Sequence, residues 1–144
     1  MFIHAEHTVV IHRHGAEVFA LVSDPTQEPL WNTAVLKIEQ LSEKPVGIGT
    51  IYRETHHVVL RQNAMTIEVV NYQPNQQFGT RSISGGPLQT HLYTLEPHIQ
   101  GTSITLKDEV QIPAIFCVLA PLLRRIGHEE IIKGLTQLKQ FLES

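Results

Sequence analysis

The chain has 144 residues, which is the length of one ordinary domain. Hydrophobic residues make up 42% of it and charged residues 17%, a composition that supports a folded core and excludes intrinsic disorder. Eleven Lys and Arg against fourteen Asp and Glu give a net charge of −3. This balance argues against a nucleic-acid partner, because nucleic-acid-binding proteins need a basic surface. The single cysteine, Cys117, excludes an internal disulfide and a multi-cysteine metal site.

The first predicted element is a strand over residues 3–12, whose alternation places the more apolar odd-numbered side chains inward. The apolar period then becomes that of a short amphipathic helix over residues 16–22, which ends before Pro25. Residues 25–31 are predicted to form a turn or a single helical turn that carries the only tryptophan, Trp31. The chain therefore begins with one strand and two short helical segments.

Six further strands are predicted, separated by short turn segments such as residues 61–63. Connections this short favour neighbouring antiparallel strands, because a parallel pair needs a crossover of about a dozen residues. We therefore expect a curled antiparallel meander that the first strand completes. The six predicted strands cover residues 33–41, 49–59, 64–73, 77–84, 88–96 and 102–111.

The tail over residues 113–144 is predicted to be helical and carries two apolar stripes. The step between the stripes is five residues, which rotates the apolar face by about 140°. Gly127 lies at this step and Pro121 precedes it, so we expect a bend or break there. No repeat or linker is present, and residues 1–144 form a single predicted domain. The first stripe is Ile115, Leu119, Leu122 and Ile126, and the second is Ile131, Leu135, Leu138 and Leu142.

Location is predicted from the N-terminus and from the longest apolar run. Residues 1–7 lack the basic region and long apolar stretch of a secretory signal. The apolar run over residues 112–123 contains two prolines and ends at Arg124, so it is too short to span a bilayer. We expect a cytoplasmic protein without stable membrane insertion.

Short segments along nearly the whole chain follow one another in a recognisable order. AEVFALVSDP at residues 16–25 leads to Trp31, and VGIGTIYRE follows at residues 46–54. Later segments are TIEVVNYQP at 66–74, YTLEP at 93–97, GTSIT at 101–105 and LKQFLE at 138–143. Together these segments resemble the polyketide cyclase/dehydrase branch of the START-like (SRPBCC, Bet v 1-like) superfamily.

The resemblance implies an α+β helix-grip fold. Such a fold has a curved antiparallel sheet of about seven strands around a long C-terminal helix, with two short helices between strands 1 and 2. It implies a deep, largely apolar cavity in which family members bind lipids, sterols, polyketides or other hydrophobic small molecules, while a minority catalyse cyclisation or dehydration. Catalytic residues differ between branches, so the chemistry of this chain has to be argued from its own site.

Asp108 is the anomalous residue of the predicted cavity wall. It shares a strand face with Leu106 and Val110, and a desolvated carboxylate is costly unless it is paired or protonated. His91 or Tyr93 on the adjacent strand is the nearest candidate partner. A His–Asp–Tyr set in an apolar pocket could perform acid/base chemistry on a bound carbonyl. Alternatively, Asp108 anchors a polar part of the ligand, or it sits at the end of the sheet in solvent.

Other large side chains are predicted to line the cavity or to fill the core. Trp31 would pack beside the mouth, and Met65 would suit an adaptable pocket. Leu122 and its apolar neighbours on the last helix would close the cavity like a lid, or they would simply pack on the sheet. The predicted ligand contacts are Trp31, Tyr52, Met65, Ile67, Phe78, His91, Tyr93, Leu106, Asp108, Phe116, Leu119 and Leu123.

Nine histidines invite a metal interpretation, but the sequence lacks a metal-binding framework. His12 with His14 and the adjacent pair His56 and His57 are the closest clusters. Neighbouring residues of a strand point to opposite faces, so the adjacent pair cannot share one ion, and no His-Glu-x-x-His motif exists. Residues 47–49 lack the third glycine of a dinucleotide site. We expect no metal and no cofactor.

The preferred interpretation is a small domain that binds a hydrophobic small molecule or lipid without catalysis, as a monomer or homodimer. One alternative is an enzyme of the cyclase/dehydratase type that uses Asp108, His91 and Tyr93. Another is a module that binds a protein partner through its surface. A wholly apolar lining with Asp108 in solvent would remove the enzyme, and a filled interior below a large exposed apolar patch would favour the partner module.

Overall fold

A computed structural model describes residues 1–43, 45–58 and 61–144. The strands within these residues are β1 (Phe2–Ile11), β2 (Val35–Gln40), β3 (Ile51–Val58), β4 (Arg61–Gln73), β5 (Gln77–Ser84), β6 (Gln89–His98) and β7 (Gly101–Gln111). The α-helices are α1 (Gly15–Val22) and α2 (Ala120–Glu143), and 3₁₀ helices cover Pro25–Leu30 and Ala114–Leu119.

The strands form one antiparallel sheet in the order β1-β7-β6-β5-β4-β3-β2. Each strand from β2 to β7 pairs with its neighbour in sequence, and β1 pairs with β7 at the far side. The predicted α+β helix-grip fold and antiparallel meander are therefore confirmed. Residue 59 of the predicted strand 49–59 lies outside the described residues.

The turn predicted at residues 61–63 is wrong, because these residues belong to β4. Their backbones pair with residues 56–58 of β3. Hairpin pairing overrides the weak strand propensity of Gln62 and Asn63, since strand preference depends strongly on context.

The interior lies between the sheet, α1 and α2. Ile3 and Ile11 of β1 are buried and His4 and Glu6 are exposed, so the odd-numbered side chains face inward as the alternation predicts. The second apolar stripe of the tail enters the same core, where Leu135 is 1% exposed. Burial of such a side chain contributes about 1.5–3 kcal/mol, which secures the C-terminal half of α2 to the sheet.

Hydrogen bonds also secure this half of α2 to the end of β1. The Lys139 ammonium donates to the carbonyl oxygen of Val10 at 2.5 Å and to Glu143 Oε2 at 2.7 Å. The same Oε2 accepts the backbone N–H of His12 at 3.0 Å. Lys139 and Glu143 form an ion pair with each other, and each also bonds to the backbone at the end of β1 or just after it.

Of the bend or break predicted near Gly127, the break is wrong, because α2 is continuous from Ala120 to Glu143. The change of geometry occurs earlier, where the second 3₁₀ helix ends at Leu119. Pro121 lies in the first turn of α2, where its missing N–H removes no intrahelical bond. Within the described residues, none of the helices combines the length and apolar character required to cross a bilayer.

Candidate functional site

A cavity of about 410 Å³ lies between the concave face of the sheet, the segment after α1 and the middle of α2. Strands β2 to β7 contribute one wall, and α1, the first 3₁₀ helix and α2 contribute the others. The lining mixes apolar and polar side chains, so it is less apolar than the resemblance implies. Its large apolar members include Leu21, Trp31, Ile67, Phe78, Leu106 and Ile131.

His91 and Asp108 form a polar pair on this wall. They are directly opposite in the antiparallel register of β6 and β7, which places both side chains on the same face of the sheet. His91 Nδ1 lies 2.5 Å from Asp108 Oδ1. Burial lowers the pKa of the imidazole, but the charge and hydrogen bond of Asp108 outweigh it and raise the pKa to about 9. At neutral pH His91 is therefore an imidazolium.

The position of Asp108 bears on one of the three interpretations of this residue. Its side chain is 19% exposed and lines the cavity, so a carboxylate solvated at the end of the sheet is wrong. His91, which is 35% exposed, lines the same cavity and is the partner in contact with it. With Nδ1 committed to Asp108, Nε2 is the ring nitrogen left to reach a ligand.

Glu28 lines the opposite wall, in the first 3₁₀ helix. Asp24 caps this helix by accepting the Thr26 backbone N–H at 3.2 Å. Glu28 Oε1 accepts a hydrogen bond from Asn32 Nδ2 at 3.1 Å. Burial raises the pKa of Glu28 to about 8, and the negative charge of Glu54 adds to the shift. Glu28 is therefore mostly a neutral carboxylic acid at pH 7, able to donate a proton.

Two further ionisable groups reach the cavity from β3. Glu54 and His56 have side chains only 15% and 23% exposed, and Glu54 Oε1 lies 3.8 Å from His56 Nδ1. Sequence reasoning missed both residues and Glu28. The alternation of side chains along β3 could have identified Glu54 and His56, because Tyr52, a predicted wall residue, lies on the same face of the strand. The side chain of His57 lies outside the described part of the chain.

Tyr93 and Trp31 add polar groups to aromatic walls. Burial raises the pKa of Tyr93 well above its usual value, so the phenol keeps its proton. Trp31 is 6% exposed, and its buried indole Nε1 has no acceptor among the described residues. An unsatisfied buried donor costs about 1–3 kcal/mol, and this N–H has no accessible surface through which a ligand in the cavity would reach it.

Seven of the twelve predicted ligand contacts line the cavity, and two others belong to the core beneath it. Tyr52 is fully buried, and burial raises its pKa to about 12. Met65 is also buried, and its sulfur accepts a hydrogen bond at 3.0 Å from Gln89, which does line the cavity. The seven lining residues are Trp31, Ile67, Phe78, His91, Tyr93, Leu106 and Asp108.

The remaining three, Phe116, Leu119 and Leu123, lie outside the cavity lining. Phe116 and Leu119 are exposed, Leu122 is 54% exposed, and Leu123 is half-buried. The lid predicted from these side chains is therefore not formed. The two apolar stripes of the tail face different directions, and only the C-terminal stripe enters the core.

The ionisable groups of the described residues are not arranged as a metal centre. No set of three or more His, Cys, Asp and Glu side chains in this part of the chain is placed to hold one ion. What the cavity wall offers instead is a mixture of proton donors and carboxylates beside aromatic and aliphatic surfaces.

A sheet that wraps a long helix and leaves a lined cavity defines the helix-grip class. Residues 3–143 match the family described as polyketide cyclase / dehydrase and lipid transport. The chain belongs to this family. No match is found among curated proteins.

Solved structures share the architecture at low sequence identity. The Zhui aromatase/cyclase from a Streptomyces species superimposes with a TM-score of 0.82 at 14% identity, over 99% of this chain and 94% of that one. A START superfamily protein from Mycobacterium smegmatis gives 0.82 at 16% identity, over 97% of each chain. The protein TTHA0849 from Thermus thermophilus gives 0.78 at 18% identity, over 99% and 97%. Identities this low show the fold alone.

Proposed function

We propose that the chain binds a small molecule that has an apolar body and a polar end. The observation that carries this proposal is the cavity of about 410 Å³, whose lining combines aromatic side chains such as Trp31 and Phe78 with the polar pair of His91 and Asp108. Ligand pockets of about 300–1,000 Å³ combine apolar surface with a few placed polar groups. Apolar contact supplies affinity at about 25 cal/mol per Å² buried, and the polar groups fix the orientation.

The family description is consistent with this proposal, since it joins enzymes of polyketide cyclisation and dehydration with lipid transport. The polar lining modifies the expectation of a purely hydrophobic ligand. A ligand without polar groups would cover the carboxyl groups of the wall without replacing the hydrogen bonds that they make to water.

Two glycines of α2 provide a matched test. Gly134 lines the cavity, and a Cβ added there meets only Asn32 Nδ2, at 4.0 Å. Gly127 lies on the same helix outside the lining, and a Cβ there meets nothing within 4 Å. Gly134→Leu should fill part of the cavity, whereas Gly127→Leu should not, and both changes raise helix propensity equally.

The probe is the neutral fluorophore N-phenyl-1-naphthylamine, titrated into the purified protein. We expect one site per chain, a loss of at least about tenfold in affinity (about 1.4 kcal/mol) in Gly134→Leu, and unchanged affinity in Gly127→Leu. No saturable binding, or equal binding by Gly134→Leu and the natural chain, would contradict a ligand in this cavity.

A second candidate function is acid-catalysed loss of water from a bound ligand. The observation that favours it is the convergence of three proton donors on one cavity at neutral pH: the His91 imidazolium, the Tyr93 phenol and the Glu28 carboxylic acid. Such donors can protonate a leaving hydroxyl or polarise a carbonyl. This chemistry matches the dehydrase part of the family description.

The test uses 4-hydroxy-4-phenylbutan-2-one, which becomes a conjugated enone when it loses its hydroxyl group and the proton α to its carbonyl. The hydroxyl leaves as water with a proton from a donor of the cavity, and the Glu54 carboxylate accepts the α-proton. We expect the natural chain to accelerate the formation of enone absorbance. Asp108→Asn should reduce the rate at least about tenfold, because it removes the charge and hydrogen bond that keep His91 protonated. Binding of the naphthylamine by this variant should stay within threefold. A rate equal to that of buffer would remove this candidate.

A further inference from the structure

Acidic side chains predominate among the charged residues that line the cavity. No Lys or Arg lines it within the part of the chain that the structure describes. The cationic His91 is already paired with Asp108, and His56 stands 3.8 Å from Glu54, beyond hydrogen-bond distance. The carboxyl groups that line the cavity are Asp24, Glu28, Glu54, Asp108 and Glu130.

Two of these carboxyl groups, on two different strands, act on a third in the first 3₁₀ helix. Glu28 is in the first 3₁₀ helix, Glu54 on β3 and Asp108 on β7, and the negative charges of Glu54 and Asp108 both disfavour ionisation of Glu28. The cavity thus holds more negative charge than its own cations offset. A neutral ligand that displaced the water would leave Glu54 desolvated without a full partner, which is unfavourable.

The aromatic walls are an independent observation that concerns the same ligand. Trp31, Phe78 and Tyr93 all line the cavity that holds the carboxyl groups. Aromatic faces attract cations through their quadrupole, and tryptophan does so most strongly.

We infer that the ligand is an amphiphilic amine, whose protonated or quaternary nitrogen lies among Glu28, Glu54 and Asp108 while its apolar body contacts Trp31 and Phe78. This inference rests on the proposed function, because it names the class of molecule that the cavity binds. The nitrogen supplies the positive charge that the lining lacks, and the body covers the apolar surface.

The first test compares three probes that share a naphthalene body: 2-(1-naphthyl)ethylamine, 2-(1-naphthyl)ethanol and 1-naphthylacetate. Their heads are cationic, neutral and anionic at pH 7.5. We expect the amine to bind at least tenfold more tightly than the alcohol in calorimetric titrations, and the carboxylate to bind most weakly. Raising the salt concentration from 0.05 to 0.5 M should reduce this preference only partly, because a buried pair is weakly screened.

Two variants test whether the preference for the amine over the alcohol arises in the cavity. Glu54→Gln should weaken binding of the amine at least tenfold and change binding of the alcohol less than threefold. Glu129→Gln is the matched control, because Glu129 is exposed on α2, pairs with Arg125 at 3.2 Å and lies outside the cavity. It should leave the affinities for both probes unchanged.

Proton release gives a second readout. Glu28 faces Glu54 of β3, His91 of β6 and Asp108 of β7, and it holds its proton at neutral pH. A cation placed beside it should ionise it, so binding of the amine at pH 7.5 should release a fraction of a proton. Titrations in buffers of different ionisation enthalpy measure this release. It should be absent for the alcohol and absent in Glu28→Gln.

The outcomes separate the inference from the function on which it rests. If the alcohol binds as tightly as the amine, or if Glu54→Gln weakens both probes equally, the amine inference is overturned and the cavity remains a binding site. If none of the three probes binds and the naphthylamine also fails, both the inference and the proposed function are overturned.

Discussion

His91 and Asp108 show how the register of two strands controls the chemistry of the wall. The pair depends on β6 and β7 being adjacent in sequence and on both residues having inward parity. Replacing Asp108 would leave the partly buried His91 without its counterion, at a cost below the ~3–5 kcal/mol of a fully buried pair because the His91 side chain is 35% exposed. The pair therefore limits which substitutions the cavity tolerates.

Glu28 gives a prediction about stability and pH. Its pKa is about 8 in the folded chain against an ordinary value of 4.5, so the folded state keeps a proton that the unfolded state loses between these values. The free energy of unfolding therefore falls as pH rises from 4.5 to 8. The raised pKa of His91 acts in the same direction, because its contribution is complete below pH 6.5 and is lost near pH 9.

Glu28→Gln removes the pH dependence that Glu28 gives to stability and retains a side-chain oxygen that accepts the Asn32 amide N–H. Between pH 4.5 and 8.5 the variant should gain stability relative to the natural chain by on the order of 2–4 kcal/mol, since each pKa unit is worth about 1.4 kcal/mol. Urea denaturation at several pH values measures it, with Glu129→Gln as the exposed control. Parallel stability curves for the two chains would contradict the raised pKa of Glu28.

At the scale of elements, local patterns predicted most of the fold because adjacent strands pair with each other. The alternation of β1 and the short connections were sufficient to predict the meander, and alternation along β6 and β7 limited the candidate partners of Asp108 to His91 and Tyr93, between which the register decides. Each of these features depends on residues close in sequence or on a fixed period of two.

The remaining parts of the site depend on contacts that no local period encodes. Glu28 lies in a single 3₁₀ segment, and its burial arises from docking against the sheet. Glu54 and His56 had inward parity, but charged residues on a strand more often mark a solvated face. The two stripes of the tail have identical spacing, so periodicity could not distinguish the stripe that packs from the one that is exposed.

At the scale of the whole molecule, α2 both closes the core and bounds the cavity. Its C-terminal half is held by the second stripe and by Lys139 and Glu143, while Ile131 and Gly134 face the cavity. The preceding turns expose Leu122 and its neighbours. The stability of the whole fold should therefore depend on one half of the helix only.

Two leucines of α2 test this division. Leu135→Ala empties a site that is 1% exposed and should lower the free energy of unfolding by about 2–5 kcal/mol, because it removes buried contacts and leaves a cavity. Leu122→Ala truncates a side chain that is 54% exposed and should change the free energy of unfolding by less than about 1 kcal/mol. Urea denaturation of both variants beside the natural chain measures the difference, with equal m-values expected because the same surface unfolds. Similar losses in the two variants would mean that the first stripe packs in solution, in which case the N-terminal half of α2 would be part of the core.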